Sequence, residues 1–159
     1  MTPLAAAADY FQVRLGTVSL LIPLGQAKEV LTLARAQVSP IPGVHGALLG
    51  VANHRGRLLW VLQLAQFLKL PIATTAQRRP QEKLTAVLLS LEERQLACIV
   101  SSLEGIVNFE AAALSSLQVG DRAIDPSYVS GHIAREGQWL SILNAGALFG
   151  SLVGSPVNP

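Results

Sequence analysis

Two regions of the chain show an out-and-back pattern of strand-like segments. In residues 10–15 apolar and polar side chains alternate, Gly16 marks a tight turn, and residues 18–22 return. Residues 84–100 repeat the scheme, with two glutamates at the turn. Alternation with a period of two is typical of a half-buried strand, and a short break between two such runs is typical of a hairpin. The pattern therefore predicts two β-hairpins, one in each half of the chain.

A glycine-bounded segment also occurs twice. Residues 50–64 read GVANHRGRLLWVLQL, and residues 131–144 read GHIAREGQWLSILN, at an offset of 81 residues. That offset is about half the chain and is longer than the ~20–50-residue units of solenoid proteins. It predicts two related lobes. Arg55 of the first copy aligns with Glu136 of the second, so the copies share a scaffold and differ in charge where a partner would bind.

Helical signals are few. Residues 62–70 place apolar side chains at i, i+3 and i+4 and stop before Pro71, which predicts a short amphipathic helix. Its counterpart at residues 145–149 is predicted to be shorter and weaker. Residues 71–82 are polar and predict a connector between the lobes. Residues 111–130 are ambiguous, and one interpretation is a helical turn at residues 111–114 followed by a loop through Asp125-Pro126.

Short strands, frequent turns and few helices predict a mainly β fold. Each lobe is expected to form a small antiparallel barrel of about five strands, whose interior is filled by side chains. We expect a single domain over residues 10–149, made of two intertwined lobes at about residues 10–80 and 81–149. Flexible tails are expected at residues 1–9 and 150–159.

The composition argues against a membrane-spanning, secreted or disulfide-bonded protein. Half of the residues are hydrophobic and the mean hydropathy is +0.42, yet no run approaches the ~18–20 apolar residues of a membrane helix. The first residues lack the basic start of a signal peptide. We therefore expect a cytoplasmic protein without direct membrane insertion. Cys98 is the only cysteine, which excludes an intrachain disulfide and predicts a buried, inert thiol.

The charge is distributed unevenly along the chain. Residues 1–83 carry nine Lys and Arg against three Asp and Glu, a net charge of +6, whereas residues 84–159 carry three against seven, a net charge of −4. A basic half beside an acidic half favours oriented docking of charged proteins. An equally open interpretation is that the charged residues lie on solvated faces and that their uneven distribution arose by chance.

Groups that would support catalysis are sparse. His45, His54 and His132 occur singly on predicted loops, with no metal-binding spacing and no Glu-x-x-His motif. Gly50 and Gly56 do not form a phosphate-binding loop and are expected to provide tight turns or positive φ. No Gly-x-Ser-x-Gly motif is present, and aromatic residues are too few for a base-stacking platform. We therefore predict no enzyme, no cofactor, no metal and no nucleic-acid partner. The alternative is a small-molecule enzyme or ligand sensor with its site in the cleft between the lobes, using His54 and His132.

The chain resembles the CheW-like family of chemotaxis coupling proteins over roughly residues 10–149. The most specific match is the loop Gly50-Val-Ala-Asn53-His-Arg55-Gly56, followed by an apolar strand to Gln63-Leu64. Further similarities are the opening hairpin (residues 11–16 and 20–24), the element Ala27-Lys-Glu29-Val30, and residues 38–42, which resemble the family's strand toward an Ile-Pro.

This resemblance implies two SH3-like five-stranded barrels, no catalytic activity and an adaptor role. One barrel would bind the regulatory domain of a CheA-like histidine kinase. The cytoplasmic tip of a methyl-accepting receptor would dock in a groove between the barrels, which would recruit the protein to membrane receptor arrays. The resemblance implicates Arg55 in receptor coupling and places Glu29 near the same surface. The candidate protein-binding residues are Arg55, Asn53, His54, Gly56, Glu29 and Arg57.

Three departures from the family pattern suggest a divergent paralogue. His54 replaces an aliphatic residue, Gln63 stands where the family usually has Asp, and Ser101 stands in place of the acid of a Val-Asp-x-Val motif. A role in chemotaxis, phototaxis or type IV pilus motility is compatible with these changes. For Arg55, a solvated turn residue and a partner contact are both open on the sequence alone.

Overall fold

The computed structural model describes residues 8–71, 79–110, 114–115 and 124–152. Several predicted features fall largely outside these residues: most of both tails, most of the polar connector, and most of the ambiguous segment at residues 111–130. Within the described residues the fold is mainly β, as predicted.

Eleven strands and two short helices are found in the described part of the chain. The strands are β1 (Ala8–Leu15), β2 (Val18–Pro23), β3 (Ala27–Ala34), β4 (Leu48–His54), β5 (Arg57–Gln63), β6 (Lys83–Leu91), β7 (Arg94–Val100), β8 (Ser102–Phe109), β9 (Leu114–Ser115), β10 (Val129–Arg135) and β11 (Gln138–Leu143). The helices are α1 (Leu64–Phe67) and α2 (Ala145–Leu152), and 3-10 turns lie at Leu24–Gln26, Arg35–Gln37 and Pro126–Tyr128. Both predicted hairpins are confirmed, as β1–β2 and β6–β7.

The strands form two sheets that exchange hairpins between the halves of the chain. Sheet one has the order β8-β1-β2-β11-β10-β9, and sheet two has the order β3-β6-β7-β5-β4. Sheet one thus combines the first hairpin with strands of the second half, whereas sheet two combines the second hairpin with strands of the first half. A cut near residue 80 would divide both sheets.

Two details differ from the predicted pair of five-stranded antiparallel barrels. Sheet one has six strands, because the two-residue β9 pairs with β10. Each sheet also contains one parallel pair, Leu20 with Ser141 in sheet one and Val61 with Ala97 in sheet two. Parallel pairing requires a long connection. It is available here because the paired strands come from opposite halves of the chain.

The largest apolar core lies between the sheets and includes both helices. Sheet two encloses a second core, and sheet one encloses a smaller third core. Strands β6 and β7 contribute to two cores at once: Val87 and Cys98 face the shared core, while Ala86 and Ala97 face the interior of sheet two. Burial on both faces explains why their sequences are almost continuously apolar instead of alternating.

The helices differ from the prediction in length. Helix α1 covers only Leu64–Phe67, because residues 62 and 63 belong to β5 and the chain leaves the helix at Lys69, where φ is 59°. Leu70 N donates to Ala65 O at 2.8 Å and Lys69 N donates to Gln66 O at 3.1 Å, the pattern of a Schellman C-cap. Helix α2, which was predicted to be the shorter, has eight residues and buries Leu148, Phe149 and Leu152 in the shared core.

Sheet two curls until its two edges meet. Ser39, which follows β3, forms a bridge to Val51 of β4, with both backbone hydrogen bonds present at 2.8 and 3.0 Å. Residues 38–42, expected to form a strand, contribute only this bridge. Gly50 makes the approach sterically feasible, because a Cβ at this residue would lie 1.9 Å from Ser39 O and its φ is 141°. The predicted role of this glycine in a positive-φ conformation is confirmed.

Cys98 is 1% exposed, which confirms the predicted burial, and that burial raises the pKa of its thiol from 9.0 to about 12. Across the described residues, no helix is long and apolar enough to span a bilayer.

Candidate functional site

The turn between β4 and β5 is a tight hairpin with Arg55 at its apex. Arg55 and Gly56 both have positive φ, 52° and 81°, as a type I′ turn requires. Asn53 Oδ1 accepts a hydrogen bond from Gly56 N at 3.1 Å, which ties the turn to the end of β4. Because the backbone is fixed in this way, the direction in which the Arg55 side chain leaves the surface is also restricted. The side chain itself is 77% exposed.

We call the segment of His54, Arg55, Gly56 and Arg57 the basic turn. His54 and Arg57 are the last cross-strand pair of β4 and β5, directly below the apex. The next pair is Asn53 with Leu58, and Leu58 is 71% exposed. The basic turn therefore continues into an exposed apolar side chain on the same hairpin.

Glu29 of β3 contacts the basic turn from across the closed barrel. Its Oε2 lies 3.1 Å from His54 Nε2 and 3.5 Å from Arg55 Nη1. Glu29 is 29% exposed and His54 is 23% exposed, so the carboxylate and the imidazole are partly shielded while Arg55 extends into solvent. The same Glu29 oxygen therefore contacts both His54 and Arg55.

The position of Glu29 and His54 follows from strand alternation. Glu29 is two residues from Leu31, and His54 is two residues from Ala52, and both apolar residues belong to the interior of sheet two. Side chains two residues apart lie on the same face of a strand. Glu29 and His54 therefore continue the interior face to the end of the barrel, where they cover its apolar core with a polar pair.

The structure places all six predicted residues within one small region. Glu29, His54 and Arg55 are in contact, Asn53 and Gly56 are hydrogen bonded, and Arg57 lies opposite His54. Their role as protein-binding residues stays a prediction. The six predicted residues do not include Leu58, which lies exposed beside the turn. The clue was that Leu58 and Leu59 are adjacent in a strand, so they cannot face the same core.

The matching turn of the second half has the same backbone and other side chains. Glu136 and Gly137 have φ values of 50° and 77°, and the β10 bulge at residues 129–131 matches the β4 bulge at residues 48–50. Here Arg135 lies 5.6 Å from the centre of the Phe109 ring, a cation–π distance. The apex side chain is acidic instead of basic.

The alternative site proposed for a small molecule is not assembled. His54 contacts Glu29 in sheet two, whereas His132 lies in sheet one, edge-on to Trp139 at 6.3 Å. Both residues lie on strands, not on loops as the sequence suggested. A cavity of about 290 Å³ opens near the start of β2 and β11, and the described residues that line it, which include Ser19, Gln138 and Trp139, have no ionisable side chain. Within the described ranges no three His, Cys, Asp or Glu side chains cluster as metal ligands.

A family model for the CheW-like domain matches residues 9–153. The chain belongs to the CheW-like domain family. The match covers both sheets and both helices, so it includes the basic turn and its counterpart. It confirms the resemblance inferred from the loop around Arg55, and it assigns the chain to a class of scaffold and adaptor domains in chemotaxis signalling.

The fold is also similar to that of a solved structure, the scaffolding protein TtCheW from Thermoanaerobacter tengcongensis. The two share a TM-score of 0.73 over 86% of this chain and 88% of that chain, at 13% sequence identity. At this identity the likeness shows the CheW-like fold alone. Among curated proteins, none matches the chain by sequence.

Proposed function

We propose that this chain is a non-enzymatic adaptor that couples methyl-accepting receptors to a CheA-like histidine kinase. The pathway would be chemotaxis, phototaxis or type IV pilus motility, and the protein would work in the cytoplasm at membrane receptor arrays. The observation that carries the proposal is the basic turn: a mostly exposed arginine held at the apex of a fixed hairpin in a CheW-like domain.

The basic turn has the properties of a receptor contact. Arg55 offers a planar guanidinium that suits an acidic side chain, and Leu58 offers an exposed apolar surface on the same hairpin. In protein interfaces, charged groups orient the partner and apolar groups are buried on binding, and the two kinds of group often lie side by side. Glu29 contacts the guanidinium of Arg55, yet the Arg55 side chain stays 77% exposed.

A second exposed surface supports binding of a second partner. Among the described strands, β8 lies at an edge of sheet one, and its residues Leu103 and Ile106 are 39% and 64% exposed. Edge strands present unpaired backbone groups, and exposed apolar side chains on them favour association. This surface belongs to the other sheet from the basic turn. Two separate surfaces are what an adaptor requires, and we assign β8 to the kinase regulatory domain.

The test uses the intact chain, a receptor cytoplasmic hairpin and a kinase regulatory domain from the same organism. Calorimetry should show binding to each partner, and gel filtration should show a complex of all three. Arg55→Glu should weaken receptor binding alone, and Ile106→Asp should weaken kinase binding alone. Absence of binding to both partners by the folded wild-type chain would contradict the proposal, and equal loss of both interactions in each variant would contradict the assignment of surfaces.

A further inference from the structure

We infer that His54 controls, through its protonation, how strongly Glu29 holds Arg55, which makes the charge presented by the basic turn dependent on pH. The inference deepens the proposed function, because it concerns the regulation of the same surface. His54 acts here as a positioning residue and not as a partner contact.

The geometry that supports this is a shared acceptor. Glu29 Oε2 lies 3.1 Å from His54 Nε2 and 3.5 Å from Arg55 Nη1. A neutral imidazole that donates its Nε2–H leaves the carboxylate with its full negative charge, so Glu29 attracts Arg55. A protonated imidazolium offsets that charge and also repels the guanidinium. Arg55 is then held less strongly and presents more positive charge to an acidic partner.

The surrounding groups allow this coupling. The charged side chains placed around His54 in the described residues are Glu29 from β3, Arg55 at the turn, and Arg57 opposite on β5. On the other side of Glu29, the cross-strand neighbour in β6 is Leu88, which is apolar. No second carboxylate pairs with His54 or Arg55 among these residues. Histidine is the side chain that ordinarily changes charge near neutral pH.

The direct test observes the free protein and requires no partner. In ¹⁵N-labelled chain, the Nε–H signal of Arg55 is followed by NMR from about pH 5.5 to 8.5, together with the imidazole signals of His54. We expect the Arg55 signal to move in step with His54 in the wild type. The inflection should vanish in His54→Gln, which keeps a hydrogen-bond donor but does not titrate, and should be much smaller in Glu29→Gln. An Arg55 signal that does not follow His54, or one that follows it equally in Glu29→Gln, would overturn the inference.

A second arm measures the consequence for binding, with the receptor hairpin fragment as the probe. Wild-type affinity should rise about two- to fivefold as His54 becomes protonated, a range typical of one partly exposed ion pair. The dependence should be absent in His54→Gln at equal melting temperature. If the same pH dependence persists in His54→Gln, the inference fails. If instead Arg55→Glu binds the fragment normally, the receptor contact is wrong, and the NMR arm still decides the inference.

Discussion

The turns at Arg55-Gly56 and Glu136-Gly137 have nearly the same backbone and opposite apex charges. Both have two consecutive positive φ values, both follow a bulged strand, and both precede a strand that leads into a helix. At the first turn, Glu29 contacts both His54 and Arg55. Around the second, Arg135 lies over Phe109. The comparison indicates that the repeat conserves a scaffold, and that the two sites differ only in the side chains mounted on it.

The hairpins that the halves exchange differ in the same way. Hairpin β6–β7 is buried along both faces. Hairpin β1–β2 buries one face in the shared core, and its other face combines Leu21, which is buried in the third core, with Arg14 and Ser19, which contact Glu104. One hairpin is therefore a structural centre, and the other has one face that is partly polar. The following predictions separate the scaffold from the side chains it carries.

The largest effect is expected when the halves are separated. Fragments 1–80 and 81–159 each lose the hairpin that completes their sheet and one side of the shared core, so neither should fold alone. Circular dichroism should show no cooperative melt for either fragment, and mixing the fragments should restore one. Two independent melts near the midpoint of the intact chain would show that the halves are autonomous.

A large loss of stability is expected for Gly50→Ala. The added Cβ would lie 1.9 Å from Ser39 O, and an L-residue would be strained at φ 141°, so barrel closure in sheet two should be disrupted. We expect a loss of about 2–4 kcal/mol in the free energy of unfolding. Gly25→Ala is the control, because a Cβ there has no atom within 4 Å. Similar urea midpoints for both variants would argue against the proposed closure.

A smaller effect concerns Cys98 in the doubly buried hairpin. Burial raises the pKa of its thiol to about 12, so the native state keeps a proton that the unfolded chain releases. The free energy of unfolding should therefore fall as pH rises from about 9 to about 12, and Cys98→Ala should show a weaker fall over that range. Native Cys98 should also react slowly with a thiol reagent. Rapid labelling of folded protein would contradict the assigned burial.

Local patterns predicted the strands well, because alternation and turn residues act over a few positions. Both hairpins, the positive φ of Gly50 and the buried Cys98 were predicted in this way. The contact of Glu29 with His54 was not predicted, because it depends on the curl of sheet two. That curl brings together two residues that are 25 positions apart in the sequence. The hairpin exchange and the two parallel pairs were missed for the same reason. Family resemblance, not periodicity, identified Arg55 and Glu29 as parts of one surface.

Arg55 is proposed to contact a partner, whereas its counterpart in the second half, Glu136, is not. Arg55→Glu and Glu136→Arg test this as a matched pair, because each turn already accommodates a long charged side chain at positive φ. Both variants should melt within about 0.5 kcal/mol of the wild type, as exposed substitutions usually do.

The deciding measurement is the affinity of each variant for the receptor fragment at fixed pH and salt. Arg55→Glu should bind at least about tenfold more weakly, since charge reversal at a paired site costs more than about 1.4 kcal/mol. Glu136→Arg should bind with a smaller change. Wild-type affinity in a folded Arg55→Glu variant, or equal losses in both variants, would show that the basic turn is not the contact.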